Sequence, residues 1–282
     1  MVKDTRYALI ADIHANIVAL DAVLAQIDKE GIDEIVCLGD IVGYGPRPRE
    51  CIERVKQRCE HVIAGNHDRV VMSRDHDALQ LSLFDHHISP RWYESFRWTH
   101  RMLCDDDRDY LRSLPLQLLF DHFVAAHAKP NAGGSFAARK QRFSKYLMSD
   151  DGQPTPPMLE VLAYVQELQV ANTARCMTAP YAAVFGHTHK PYLLDNGTFL
   201  VQGKRKRTLS FMNCDDHPVL VNVPSVGLPR DGDKRAGYAI IDGTGVSLVR
   251  IPYDVKAAVR MMFTTPGYDV NERILSHVKT GV

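Results

Sequence analysis

The sequence predicts a mixed α/β domain in which parallel strands come first and antiparallel hairpins follow. Three observations carry that reading. Short apolar runs alternate with helix-spaced apolar residues over the first 64 positions, which is a βαβαβ pattern with right-handed crossovers. A helical stretch then interrupts the strands. In the last third, Asn-Gly and Asp-Gly pairs stand between β-rich runs, as tight hairpins require.

In chain order, Tyr7 to Ala11 is a buried strand, and Ile17, Leu20, Val23, Leu24 and Ile27 recur at helical spacing until Gly31 stops them. Glu34 to Leu38 is the second strand. Pro48 suits the first turn of a helix running to about Cys59, and His61 to Ala64 is a third strand. Residues 78–114 have helical composition, and Phe120 to Ala126 returns as a strand. The G-G-S and Q-P-T-P-P motifs within 131–160 read as a connector, Met158 to Gln169 as a helix, and Ala182 to Phe185 as a strand. Y-L-L-D-N-G-T-F-L-V and Y-A-I-I-D-G-T-G-V-S-L-V-R-I are the two hairpins, and a last helix lies near Val270 to Lys279. The K-R-K-R run at 204–207 reads as a solvated hairpin edge.

Composition narrows the function. The 282 residues suit one elaborated domain, 1–282, with cap-like insertions at about 69–119 and 131–180. Lys plus Arg and Asp plus Glu both number 34, so there is no nucleic-acid footprint and no attraction to an anionic membrane. The first apolar run is too short for a signal peptide or a membrane span, and a cytoplasmic protein is expected. Six cysteines are scattered without a C-x-x-C pair, the pattern of reduced thiols rather than of a disulfide framework or a thiolate zinc site.

Chemistry concentrates at the strand ends. Tyr7 to Ala11 is followed by Asp12-Ile13-His14, Glu34 to Leu38 by Gly39-Asp40, and His61 to Ala64 by Gly65-Asn66-His67-Asp68. Phe123 to Ala126 is followed by His127, and Ala182 to Phe185 by Gly186-His187-Thr188-His189. Loops at the carboxyl edge of a parallel sheet converge, and ligands bind there. Each piece has a bland alternative: Asp12 as a helix cap, Gly39-Asp40 as a plain turn, Asn66-His67-Asp68 as a helix start, His127 as a packed histidine. Five such coincidences at five successive strand ends favour a metal site. Alternate residues of a strand face opposite ways, so His187 and His189 reach one centre only if the backbone turns, which Gly186 permits.

The order D-x-H, G-D, G-N-H-D, H, G-H-x-H resembles the calcineurin-like metallophosphoesterase superfamily. G-D-I-V-G-Y-G-P, W-T-x-x-x-L, L-R-S-L-P and S-V-G-L-P-R-D-G-D resemble its small bacterial and archaeal branch of phosphoesterases and diadenosine-tetraphosphatase-like proteins. The resemblance implies a four-layered αββα sandwich with helical caps over the metal-bearing edge. It implies two divalent ions (Mn, Fe, Zn or Ni), one held by Asp12, His14 and His189, the other by Asn66, His127 and His187, with Asp40 bridging. Hydroxide bridging the ions would attack a small phosphate ester, phosphodiester or nucleotide polyphosphate, and His67 would face the leaving oxygen. Two narrower or different readings stand beside it: a dinucleoside tetraphosphate hydrolase, and a non-catalytic metal-binding scaffold for protein interaction. Such scaffolds tend to lack a ligand or the substrate-facing histidine, and this chain keeps both. The protein-phosphatase branch reads G-D-x-V-D-R-G where this chain has Gly43 and Tyr44, so the acidic partner of the histidine and a phosphate-binding arginine are missing. Asp68 is the nearest carboxylate in sequence. Val223-Pro224-Ser225 replaces the usual Pro-Gly-Ser.

Overall fold

In the computed structural model two six-stranded sheets lie face to face, and residues 5–72, 90–121, 123–128, 163, 165–167, 182–195, 198–202, 208–212 and 219–282 are described. Side chains of 90–93, 198–202 and 208–212 are outside that description. The first sheet contains β1 (Tyr7–Ile10), β2 (Glu34–Cys37), β3 (His61–Val62), β9 (Thr208–Met212), β11 (Ala236–Asp242) and β12 (Gly245–Ile251), in the order β3-β2-β1-β11-β12-β9. The second contains β4 (Gln117–Leu119), β5 (Phe123–Ala126), β6 (Ala182–Phe185), β7 (Tyr192–Asp195), β8 (Thr198–Gln202) and β10 (Val219–Asn222), in the order β4-β5-β6-β10-β7-β8.

Strand alternation builds the layers. Leu9, Ala11, Val36 and Leu38 point between the sheets and meet Phe123, Ala125, Ala182, Val184 and Val221. Their neighbours Ala8, Ile10, Ile35 and Cys37 point the other way, against α1 (Ile17–Ile27) and α2 (Pro48–Arg58), where Leu20, Val23, Leu24, Ile52 and Val55 fill the interface. Burying each large aliphatic side chain contributes roughly 1.5–3 kcal/mol. On the outer face of the second sheet, Val124, Ala126, Ala183 and Phe185 pack on Val165 of a helical segment. The result is the four-layered αββα sandwich.

Five further helices are α3 (Asn66–Met72), α4 (Pro90–Met102), α5 (Asp105–Ser113), α6 (Val255–Thr264) and α7 (Glu272–Thr280). Asn16, not Asp12, caps α1, its Oδ1 accepting from the Ala19 amide at 3.2 Å, so Asp12 is released from that role.

Several expectations are corrected. The strand expected over Phe120 to Ala126 starts later, as β5 at Phe123, and forms a hairpin with the preceding β4, with the Phe120 and Phe123 rings stacked at its turn. β3 has two residues instead of four. The two C-terminal hairpins join different sheets: β11-β12 extends the first by pairing antiparallel to β1, and β7-β8 extends the second. The last third is not wholly antiparallel, because β10 runs parallel to β6. The 131–180 insertion apart from 163 and 165–167, the 204–207 run, and Cys176 and Cys214 lie outside the described residues. Cys37, Cys51, Cys59 and Cys104 are free thiols. Among the described residues no helix is long and apolar enough to cross a membrane.

Candidate metal centre

The parallel strands β1, β2, β5 and β6 end on one edge, and the loops leaving them are stitched together by backbone bonds. The Asp12 amide donates to the Gly39 carbonyl (3.1 Å), the His14 amide to the Asp40 carbonyl (2.9 Å), and the Gly186 amide to the His127 carbonyl (3.1 Å). Each strand therefore sets down its polar residue beside the next one.

All seven residues singled out as ligands meet there. Asp12, His14, Asp40 and His189 form one group whose ligating atoms lie within 4.8 Å of one another, and Asp40, His127 and His187 form a second. Asp40 is common to both. Asn66 completes the second group: its Oδ1 lies 3.0 Å from His127 Nε2 and 2.9 Å from His187 Nδ1. Asp12, His14, Asp40, Asn66, His127 and His189 are each no more than 2% exposed.

Hydrogen bonds select the face each imidazole presents. His127 donates through Nδ1 to the Leu38 carbonyl at 2.8 Å and His189 through Nδ1 to the Leu228 carbonyl, so in both rings Nε2 is the nitrogen turned toward the centre. The carboxylates are oriented as firmly. The His187 amide donates to Asp12 Oδ1 (2.9 Å), and the His67 amide to Asp40 Oδ1 (2.8 Å). Asp12 Oδ2 is buried with no hydrogen-bond partner. A buried orphan carboxylate oxygen, inward-facing ring nitrogens and a mixed O/N donor set fit a borderline divalent cation.

Backbone strain is concentrated at the same place. Asp12, His14, Asp40, His187 and His189 all have φ between 47° and 68°, the left-handed region that non-glycine residues avoid at a cost of roughly 1–2 kcal/mol each. This corrects the expectation for Gly186: the histidines themselves make the turn. Gly186 is needed for space, since a Cβ there would come within 2.7 Å of Ala11 Cβ and 3.0 Å of Asp12 Oδ2. Gly65 meets the same limit, with a Cβ only 2.1 Å from Asp40 Oδ1.

The electrostatics are those of carboxylates and imidazoles buried close together. Burial pushes the Asp12 carboxyl up to about 7 and holds His14 and His189 well below the ordinary imidazole value. Burial likewise lowers His187 to about 3. Burial opposes the charged form of His127 too, yet Asp40, with Oδ2 at 3.2 Å from Nε2, overrides it and raises His127 to about 9. Asp40 is held well below the carboxylate range against its own burial by His127, His67 and His14.

His67 stands beside the ligand groups, packed between the rings of His14 (4.6 Å between centroids), Tyr44 (4.3 Å) and Phe96 of α4 (4.7 Å). Burial keeps it neutral, lowering it to about 4. Position 43 is filled against it: a Cβ on Gly43, whose φ is 85°, would lie 2.5 Å from His67 Nδ1. Asp68 does not face His67 as the orienting carboxylate. Its buried oxygens accept from the amides of Gly65 (2.9 Å), Ile41 (2.9 Å) and Val42 (3.1 Å), clamping the loop that carries Asp40 to the one that carries Asn66. Ser225 keeps a place in the third loop: its hydroxyl donates to the Asp12 carbonyl (3.0 Å) and accepts from the Leu228 amide (2.9 Å).

Sequence reasoning missed Asp68 as a loop clamp, and it missed Tyr44 and Arg230 beside the site. Tyr44 follows directly on the G-D-I-V-G motif, and Arg230 belongs to S-V-G-L-P-R-D-G-D, so both lay inside segments already singled out.

Residues 5–191 match the family model of the calcineurin-like phosphoesterases. An uncharacterized protein of Methanocaldococcus jannaschii is 31% identical over 264 residues, covering 92% of this chain and 91% of its own. The crystal structure of a metallophosphoesterase from Sphaerobacter thermophilus superposes with a TM-score of 0.70 at 26% identity, over 99% of this chain and 100% of its own. A hypothetical protein from Pyrococcus horikoshii OT3 shares the fold, with a TM-score of 0.69 at 21% identity over 99% of each chain. The order of polar residues along the strand ends, the sandwich they close and these matches agree, and the chain belongs to the calcineurin-like phosphoesterase family.

Proposed function

We propose that this chain is a metal-dependent hydrolase of small phosphate esters, phosphodiesters or nucleotide polyphosphates. The observation that carries the reading is the sharing of Asp40 between two buried Asp/His groups. One carboxylate between two such groups is the arrangement expected of a pair of divalent ions. Asp12, His14, His189 and Asp40 would hold one ion, and Asp40, Asn66, His127 and His187 the other. When bound, such a pair supplies Lewis-acid polarisation of a phosphoryl group and activation of water near neutral pH.

The chain's own residues then have distinct tasks. The backbone carbonyls of Leu38 and Leu228 fix the tautomers of His127 and His189, so those rings bind without reorganising. Asp68 and Ser225 hold the loops at their spacing. His67, neutral and enclosed by aromatic rings, would donate a hydrogen bond to a leaving oxygen. Phe96 of α4 touches His67, so the first insertion reaches the reaction centre and supports a site for small substrates.

The test is elemental analysis of the purified protein together with a panel of phosphomonoesters, phosphodiesters and dinucleoside polyphosphates, assayed with Mn²⁺, Zn²⁺, Ni²⁺ and Mg²⁺. Metal-dependent turnover of at least one class is expected. A metal-loaded protein inert toward the whole panel would favour the scaffold reading.

A further inference from the structure

The loop after β10 reads L-P-R-D-G-D, and its charges do not all cancel. Asp231 pairs with Arg250 (Nη2 to Oδ2, 2.5 Å), and Asp233 pairs with Arg235 (2.5 Å). Arg230 is left over: among the described residues it makes no ion pair, and its Nε is buried with no hydrogen-bond partner. The loop is also tied to the ligand groups. The Arg230 amide donates to the His189 carbonyl at 3.2 Å, while the Leu228 carbonyl two residues earlier orients His189. The guanidinium lies over the Tyr44 ring, 5.9 Å from its centroid, and that ring touches both His14 (4.8 Å) and His67 (4.3 Å). Its charge reaches Asp12, His14, His67, His187 and His189, and adds to burial in keeping these imidazoles neutral.

A partly buried guanidinium without a carboxylate, fastened next to a group of imidazoles, repels the cation those imidazoles suit. The placement is unfavourable unless an anion joins the two. Arginine's planar fork matches the oxygens of a phosphate, and its charge persists at any working pH.

Building on the phosphoesterase reading, we propose that Arg230 is an anion-binding residue, its guanidinium taking a non-bridging oxygen of the substrate's phosphate on the side of the centre formed by Asp12, His14 and His189. Tyr44 is its support, with the ring 5.9 Å from the guanidinium and a side-chain hydrogen bond between the two. Because the contact is to an oxyanion and not to metal, its loss separates from loss of the ions. It acts on charge in the ground state and on charge developing in the transition state alike.

The experiment uses the whole chain with Arg230→Gln and Arg230→Lys. Binding of inorganic phosphate and of pyrophosphate is measured by calorimetry, with and without manganese, alongside metal content and thermal melting. The glutamine variant is expected to keep its metal and its melting temperature while phosphate affinity falls at least tenfold, with the lysine variant between it and the parent. On a nitrophenyl ester the loss should include a rise in KM. Unchanged phosphate and pyrophosphate affinity in Arg230→Gln would overturn the proposal. If that variant does not fold, Arg230→Lys gives the same reading, since unchanged affinity for both anions there removes any role for the fork. Failure of the phosphoesterase reading looks different: the parent protein itself would turn over no ester, whereas the phosphate titrations still report on Arg230.

Discussion

His14 Nε2 and His189 Nε2 lie 3.1 Å apart, with their rings stacked 17° from parallel. His189 has committed its proton to the Leu228 carbonyl through Nδ1, so its Nε2 offers only a lone pair to the gap. Asp12 Oδ1 is 3.6 Å from one of these nitrogens and Asp40 Oδ2 is 3.6 Å from the other. Two ring nitrogens and two carboxylates facing one point are stabilised by a shared cation far better than by one another.

The same geometry separates two classes of variant. Asp40→Asn is expected to lower the occupancy of both proposed ions, because Asp40 belongs to both groups. His189→Ala should deplete one ion and leave the other in place. Elemental analysis of the purified variants decides it, and unchanged metal content in Asp40→Asn would remove the sharing assignment.

Most of the proposed ligand set was legible because each member follows an apolar strand, and strand alternation with parallel pairing forces such residues to one edge. Asp12 and Asp40 could be placed that way before any contact was known. Partners far apart in sequence could not. The Asp242 hairpin was visible in its Asp-Gly pair, but nothing local says that β11 will pair with β1. β4, only three residues long, has too few positions for a period to show. Asp68 is the nearest carboxylate to His67 in sequence, but sequence does not say where its oxygens go, and three amides from two loops claim them. The strain also escaped, since the positive φ of His187 and His189 comes from contacts that pull the turn onto Asp12, not from any glycine preference.

A pH dependence follows for the metal-free protein. His127 is raised to about 9 in the fold from an ordinary 6.5, so the folded state holds its proton more tightly than the unfolded chain does. That contribution is fully present below pH 6.5 and is lost as pH rises through 9; the difference corresponds to on the order of 3 kcal/mol. Asp12, raised to about 7, acts in the same direction at lower pH, its contribution disappearing between about 4 and 7. His14, His187 and His189 are lowered and act oppositely, but only below 6.5. Chelator-treated protein should therefore lose stability between pH 6.5 and 9, while metal, which takes the proton's place on His127, should flatten the curve. Denaturant midpoints independent of pH across that window in the metal-free protein would contradict the assignment.

His67 and Gly43 should behave as one unit. His67→Ala is expected to lower kcat by about a hundredfold with metal content nearly unchanged, the usual scale for losing a group that stabilises the leaving oxygen through its proton. The effect should be smaller on a nitrophenyl ester than on an ester with a poor alkyl leaving group. Gly43→Ala should produce a similar defect without touching His67 chemically. Its Cβ would displace the imidazole from 2.5 Å, and its φ of 85° suits only glycine without strain. Equal rates for Gly43→Ala and the parent would show that His67 tolerates displacement and that its position is not what matters.

Substrate size is expected to depend on what stands around this edge. α4 brings Phe96 against His67 and Tyr44, and the Tyr44 amide donates to Ser95 Oγ at 3.1 Å. Trp98 packs on Tyr268, whose hydroxyl donates to the Tyr44 carbonyl, so the helix is braced against the segment before α7. Core packing accounts for Phe96 and Trp98, which are almost fully buried, while the side chains of Arg91, Trp92 and Tyr93 lie outside the described residues. A wall packed this closely beside His67 cannot retreat without breaking the aromatic cluster. The folded surface around a phosphorylated residue would have to displace it, whereas a nucleotide or a simple diester would not. We therefore expect small phosphodiesters or nucleotide polyphosphates to be hydrolysed with little activity on phosphorylated folded proteins. Phe96→Ala, which removes the contact to His67, should lower turnover of small esters before it opens the site to larger ones. A kcat/KM on a folded phosphoprotein comparable to that on the best small substrate would mean that the edge is open and that α4 does not act as a cap.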